Sequence, residues 1–156
     1  MSVSDSLQFN HSNYIEISQA LIKIDVHYLM QLRDFKPTIL YPGHWGFFAG
    51  HWKNHETAVV AMMRELNEEL CWQPKILTYL GNIIVGGNHR IHVHKCQLNC
   101  GLESLTLQEG QEIGAFTKEG IADNTLFSQN LNKHFPVTPI SAKVFKRFIV
   151  KDTNAR

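Results

Sequence analysis

A chain of 156 residues, 44% hydrophobic and 19% charged, is long enough to bury one core and has the composition of a soluble globular protein. Its formal net charge of +1 excludes the basic footprint of a nucleic-acid binder and an electrostatic membrane anchor. No apolar run is long enough to cross a bilayer, and the N-terminal MSVSDSLQFNHSNY has neither the basic nor the apolar region of a secretion signal, so secretion is not expected. Three cysteines, Cys71, Cys96 and Cys100, form an odd set without framework spacing and read as thiols in a reducing compartment, the cytoplasm.

Residues 1–12 are polar and expected to be loose, which leaves 13–156 as a single domain. The runs Ala20–Val26 and Tyr28–Leu32 are rich in Ile, Val, Leu and Tyr and predict strands. Lys36-Pro37 and Tyr41-Pro42-Gly43 mark turns. Trp45-Gly46-Phe47-Phe48 is a short strand ending at Ala49-Gly50, where small residues permit close backbone approach. From Glu56 to Leu70 the period is helical. Ile76–Val85 and Ile91–Leu98 read as strands around a Gly86-Gly87-Asn88 turn, and Glu112–Thr117 as another. After Pro136 and Pro139, SAKVFKRFIV predicts a closing helix with Val144, Phe145, Phe148 and Ile149 on its apolar side. Strands and helices mix without regular βαβ alternation. The expected class is α+β, with helices packed on a mixed sheet.

The central helix is split. At about 100° per residue, Val59, Met63, Leu66 and Leu70 fall on one stripe with Met62 at its edge, and that stripe is expected to face the core. Glu65, Glu68 and Glu69 share another face, since spacings of three and four bring side chains together, and Arg64 flanks them. Each like-charge pair costs only about 0.2–0.5 kcal/mol on an exposed helix, so a solvated acidic face accounts for the pattern as it stands. Two details weigh the other way. Acidic residues near a helix C-terminus oppose the macrodipole, and the preceding strand end could add a backbone carbonyl. An all-oxygen cluster of this type is what hard divalent cations such as Mg²⁺ bind.

The segment Gly50 to Trp72 resembles the box of the Nudix (MutT-like) hydrolases, G-x5-E-x7-R-E-U-x-E-E-x-G-U, with U a bulky apolar residue. Gly50, Glu56, Arg64, Glu65, Leu66, Glu68 and Glu69 match in type and spacing, and the lead-in GHWGFFAG is similar to the family's tryptophan–glycine strand. The family's glycine near the end is Cys71 here and its last aliphatic is Trp72. Ala49 stands where a second glycine is common but keeps its carbonyl. Lys53 and His55 replace an acidic residue and a glycine inside the box. A cysteine at position 71 costs on the order of 1 kcal/mol if the helix ends in a left-handed cap.

The resemblance implies a Nudix-type mixed β-sheet sandwiched between helices and hydrolysis of a diphosphate linked to a nucleoside or similar group. It implies Mg²⁺ (or Mn²⁺) held by Glu65, Glu68 and Glu69 with the Ala49 carbonyl, Glu56 as a further ligand or a carboxylate just behind the ligands, and Arg64 orienting the glutamates. It also implies that Glu109, in the Glu109-Gly110-Gln111 loop, approaches the metals and takes the proton from water, with Glu112 as second choice and Glu69 as the alternative base. A nucleoside triphosphate is slightly favoured as substrate over a nucleotide sugar or ADP-ribose. A Nudix-fold sensor that binds a nucleotide without cleaving it is the reading of a different class.

Two further segments are weighed on their residues. In HRIHVHKC, the side chains of Arg90, His92, His94 and Cys96 share one strand face. Zinc is disfavoured because no Cys-x-x-Cys pair accompanies them, and the strand is expected to line the substrate cleft with Arg90 or a histidine near phosphate. Among the aromatics, Phe48 and at least one other are expected in the core, and Trp52, inside the box, is the better candidate for stacking on a base. The partner is thus a nucleotide-type small molecule. The oligomeric state is left open, a homodimer included.

Overall fold

The computed structural model describes residues 13–151. The segment 1–12, expected to be loose, lies outside the described residues. Among the described residues, nine strands occur in chain order with three α-helices: β1 (Ile15–Ile24), β2 (His27–Leu32), β3 (Trp45–Gly46), β4 (Phe48–His51), α1 (Ala58–Leu70), β5 (Thr78–Val85), β6 (His89–Gln97), β7 (Glu112–Thr117), α2 (Lys118–Ala122), β8 (Thr125–Ser128), β9 (Lys133–Pro136) and α3 (Pro139–Val144). A 3₁₀ turn covers Leu102–Ser104, and α3 runs on as a wider π-helical segment over Phe145–Val150.

Seven strands make one mixed sheet. At its centre β1 runs parallel to β6 and antiparallel to β4, with Gln19 opposite both Val93 and Ala49. Strand β2 folds back from β1 in a hairpin and pairs over its whole length with β7. Strand β5 closes the far edge beside β6, and β8 and β9 form a separate ribbon. One core cluster fills the face under α1, where Ala20, Ile22, Leu29 and Phe48 meet Met62, Leu66 and Leu70. The other fills the opposite face, where Leu21, Ile91, Val93 and Trp45 meet Val144, Phe145 and Ile149. Burial of both faces makes the central strands nearly continuous apolar runs. The sheet is thus sandwiched between helices, as expected.

Several boundaries move. Strand β1 starts at Ile15, before the expected Ala20, because pairing with β4 and β6 holds the polar Glu16 and Ser18 in the ladder. It ends before Asp25, which turns left-handed at φ 53°, so Val26 sits exposed in the hairpin and not in a strand. The aromatic strand divides at Phe47, whose N–H donates to Ser141 Oγ. Its first half pairs with β2 and its second with β1, which places Ala49 and Gly50 at the sheet's end. Ile76 is exposed outside β5, while Gly86 and Gly87 adopt the positive φ of a hairpin turn.

Helix α1 begins at Ala58, two residues after Glu56, because the Thr57 side chain caps the Val60 N–H. Its buried face is Ala61, Met62, Leu66, Glu69 and Leu70. Val59 is exposed and Met63 half-buried, which corrects the expected stripe: the apolar face is turned toward Met62, and one glutamate is buried with it. Cys71 takes the left-handed cap at φ 52° and donates its N–H to Asn67 O. The elements α2, β8 and β9 were not expected.

Candidate active site

A cleft of about 580 Å³ opens where the end of β4, the C-terminal half of α1 and the loop before β7 converge. Glu65, Glu68, Glu69 and Glu109 line it together with Ala49 and Gly50. The Glu65 side chain lies directly over Gly50, where any Cβ would overlap it. A side chain at position 50 would displace Glu65 from its place against the strand end.

Arg64 organises the acidic face. Its Nε donates to Glu56 Oε2 at 2.6 Å and Nη2 to Glu56 Oε1 at 2.8 Å. Nη1 donates to Glu65 Oε1 at 2.8 Å and Glu68 Oε2 at 3.2 Å, and Nη2 also reaches His51 O at 2.9 Å. The guanidinium is therefore tied to the strand end, the box loop and its own helix. Glu56 has both oxygens on Arg64 and does not line the cleft. The Arg64 hydrogen bond holds its carboxyl down at about 2, and that charge in turn keeps Arg64 protonated. Glu56 sits behind the acidic group, positioning Arg64.

Glu69 differs from its neighbours. It is 8% exposed and its Oε2 has no hydrogen-bond partner. Burial, then the charges of Glu65 and Glu109, push its carboxyl up to about 8, against a lowering by Arg33. Among the described residues, no three His, Cys, Asp or Glu side chains are gathered as a ready-made metal site. Arg64 Nη1 occupies one oxygen each of Glu65 and Glu68. The donors nonetheless fit a hard divalent cation: several carboxylates, a strand-end carbonyl, and a buried carboxyl oxygen that nothing in the protein satisfies.

The loop after the 3₁₀ turn is tied down at both ends. Thr106 N–H donates to Leu70 O at 3.1 Å and Gln108 N–H to Glu69 O at 2.9 Å, so it caps the α1 C-terminus. Gln111 Nε2 donates to Asp34 Oδ1 at 2.6 Å and its N–H to Leu32 O at 2.8 Å. Between these anchors Gly110 has φ 91°, and a Cβ there would stand 2.9 Å from Leu32 O. The Glu-Gly-Gln sequence is thus a tight turn that holds Glu109 at the cleft wall.

Three expected site residues lie elsewhere or act differently. Glu112 does not reach the cleft. Its Oε1 accepts from Ser128 Oγ at 2.5 Å and Asn130 N–H at 3.2 Å, and its Oε2 from Gln129 N–H at 3.1 Å. It is a buried carboxylate that pins the turn after β8. Arg90 is also outside the cleft, paired with Glu16 Oε1 at 3.0 Å and stacked 4.4 Å from the Tyr14 ring. The face of β6 that lines the cleft carries Ile91, while Arg90, His92 and His94 project from the other. His92 lies between Glu16 and Tyr79, with Nδ1 and the Tyr79 hydroxyl 2.9 Å apart. His94 is fully buried beside Gln19 O, and burial lowers its pKa. Trp52 does line the cleft, but its ring packs 4.7 Å from His92 and its Nε1 donates to Ser18 Oγ, so it is fixed at the rim.

The sequence reading passed over Gln19, Gln31, Arg33, Asp34 and Tyr41, which also line the cleft. One signal was available: Gln31 is an amide within the otherwise apolar run Tyr28–Leu32.

The NUDIX domain model matches residues 24–131. The chain belongs to the Nudix family. It is therefore a hydrolase of acid anhydrides in phosphorus-containing compounds, and the Nudix box is the α1 arrangement described above. No curated protein matches the chain. Among solved structures it is similar to the E. coli ORF135 protein, with 22% identity, a TM-score of 0.65 and 91% of this chain matched to 93% of that one. It is similar to a MutT Nudix hydrolase from Burkholderia pseudomallei at 18% identity and TM-score 0.65, over 86% of this chain and 97% of that one. The Nudix domain of Shewanella oneidensis NrtR, solved in complex with ADP ribose, matches at 11% identity and TM-score 0.67 over 99% and 100% of the two chains. At these identities the likeness is one of fold.

Proposed function

We propose that this Nudix protein is a metal-dependent pyrophosphohydrolase that splits the phosphoanhydride of a nucleoside diphosphate derivative, with a nucleoside triphosphate as the favoured substrate. The observation that carries the reading is Glu69 Oε2, buried without a partner among Glu65, Glu68 and Glu109 at the wall of an open cleft. Carboxylates alone would repel a diphosphate. Mg²⁺ or Mn²⁺ held by Glu65, Glu68, Glu69, Glu109 and the Ala49 carbonyl would neutralise that charge and lower the pKa of a bound water.

The chain's own residues supply position and proton transfer. Arg64 fixes Glu65 and Glu68, Gly50 lets Glu65 lie against the strand end, and Glu56 fixes Arg64. Glu109 stands on a loop anchored at both ends and accepts the proton of the attacking water, with Glu69 the alternative acceptor. Trp52 at the rim offers an aromatic edge to the substrate. In-line attack needs this positioning and charge neutralisation more than covalent chemistry.

The test is a panel of nucleoside triphosphates, nucleotide sugars and ADP-ribose, followed by ³¹P NMR with and without Mg²⁺. Release of pyrophosphate from a triphosphate only with metal is the expected result. Cleavage confined to a nucleotide sugar or ADP-ribose would move the substrate. Tight binding without turnover on the whole panel would make the protein a sensor.

A further inference from the structure

Gln19 sits in mid-β1 on the same face as Ile17 and Leu21. Ile17, Phe47, Ile91 and Ile140 line the cleft with it. The residue is 3% exposed, yet its Oε1 has no hydrogen-bond partner. A buried amide oxygen without a donor is costly. A strand that had only to fold would carry an aliphatic residue here, as it does two positions to either side. Pairing puts Gln19 opposite Ala49, next to the acidic group but not part of it. The cleft thus has an acidic wall and, in its lining beside apolar side chains, one unsatisfied amide. Apolar pockets with a few placed polar groups are how proteins orient and select small ligands.

We propose that Gln19 is a specificity-determining residue: its Oε1 accepts an N–H from the amino group of the substrate's base while its Nε2 donates to the ring nitrogen alongside. The cleft then selects adenine or cytosine over their oxo counterparts, hypoxanthine and uracil. An amide presents an acceptor and a donor side by side, and an amino group next to an unprotonated ring nitrogen presents the complementary pair. In the oxo base a carbonyl replaces the amino group and an N–H replaces the ring acceptor. Both contacts then set like against like. Oε1 is the atom the fold leaves without a donor, and taking it as the one that meets the exocyclic amino group gives the preference its sign.

The inference rests on the nucleotide-hydrolase reading, so its test has an arm that needs no turnover. In the first arm, kcat/KM is measured for ATP against ITP and CTP against UTP, in wild type and Gln19→Leu. The amino member of at least one pair is preferred about ten- to a hundred-fold, and Gln19→Leu brings it down to the level of its oxo partner. The Tm of Gln19→Leu equals or exceeds that of wild type, because an orphaned amide has been replaced by packing; a glutamine kept for folding would lower it. In the second arm, the side-chain amide signals of Gln19 are followed by ¹⁵N NMR as AMP, IMP, CMP or UMP is added, and they shift with an amino member and not with its oxo partner. A wild type with no preference, a preference for the oxo bases, or a preference that survives in Gln19→Leu overturns the inference. If no nucleotide is hydrolysed, the hydrolase reading fails and the NMR arm alone decides Gln19: equal shifts with both members of each pair overturn it.

Discussion

The guanidinium of Arg64 holds both carboxylate oxygens of Glu56, a residue eight positions earlier that lies before the helix N-cap. The same guanidinium holds Glu65 and Glu68. A carboxylate outside the cleft therefore sets the direction of those inside it. Partners one layer behind a ligand set are typically worth ten- to a hundred-fold in metal affinity or activity. Glu56→Gln keeps the shape and removes the charge. Its Mg²⁺ activation midpoint is expected to rise by about ten-fold, measured as initial rate against metal concentration, with folding intact by circular dichroism.

Glu109 and Glu112 are three residues apart, and the proposed mechanism gives only Glu109 a part in the chemistry. On that proposal Glu109→Gln removes a proton acceptor and is expected to lower kcat by about 10²–10⁴-fold. Glu112→Gln loosens the turn after β8, where three donors converge on one carboxylate. It is expected to cost about 1–3 kcal/mol, a loss of about 2–4 °C in Tm per kcal/mol, with little change in kcat. Equal effects of the two changes on kcat would remove Glu109 from the mechanism.

Cys71 occupies a left-handed cap at φ 52°. A side chain there is strained, and Gly is free of that strain. Cys71→Gly is expected to stabilise the protein by about 1 kcal/mol, visible as a higher Tm. An unchanged or lower Tm would mean that the Gln108 Nε2 contact to Cys71 Sγ matters more than the backbone.

His94 gives stability a pH dependence of known sign. Burial lowers its pKa in the folded state below the ordinary 6.5. Between the two values the unfolded chain holds a proton that the folded one does not. This contribution is complete above the ordinary value and is lost as the pH falls below it. Thermal melts from pH 7.5 to 5.5 are expected to show the Tm of wild type falling relative to that of His94→Gln, since the opposite contribution of Glu69 is common to both. The same slope in both proteins would remove His94 as the cause.

On the proposed reading, Glu69 couples metal binding to protons. With its carboxyl pushed up to about 8, the metal-free protein holds a proton there at neutral pH, and a cation must displace it. Mg²⁺ affinity is expected to rise with pH up to about 8, by as much as about ten-fold per unit. Titration calorimetry in buffers of different ionisation enthalpy would show proton release, absent in Glu69→Gln.

The central helix, most strands and the grouping of Glu65, Glu68 and Glu69 were legible in the sequence because each depends on local spacing. Helix α2 and the β8–β9 ribbon were not. They are short and carry few buried side chains, Ile121, Leu126 and Ser128 among them, so no period announces them. The face of β6 that meets the cleft was misjudged. Alternation separates Ile91 from Arg90 and His92 but does not say which face the rest of the chain will cover.

The same division holds for the site. The order of residues along one helix, with the box loop before it, determined which carboxylates stand together and which arginine flanks them, since side-chain neighbours at three and four residues follow from helical geometry alone. Only the tertiary structure decided that Glu69 would be buried, that the loop bearing Glu109 would cap that helix, and that Asp34 would hold Gln111 from far along the chain. Burial and long-range pairing are properties of how distant segments pack, and no local period encodes them.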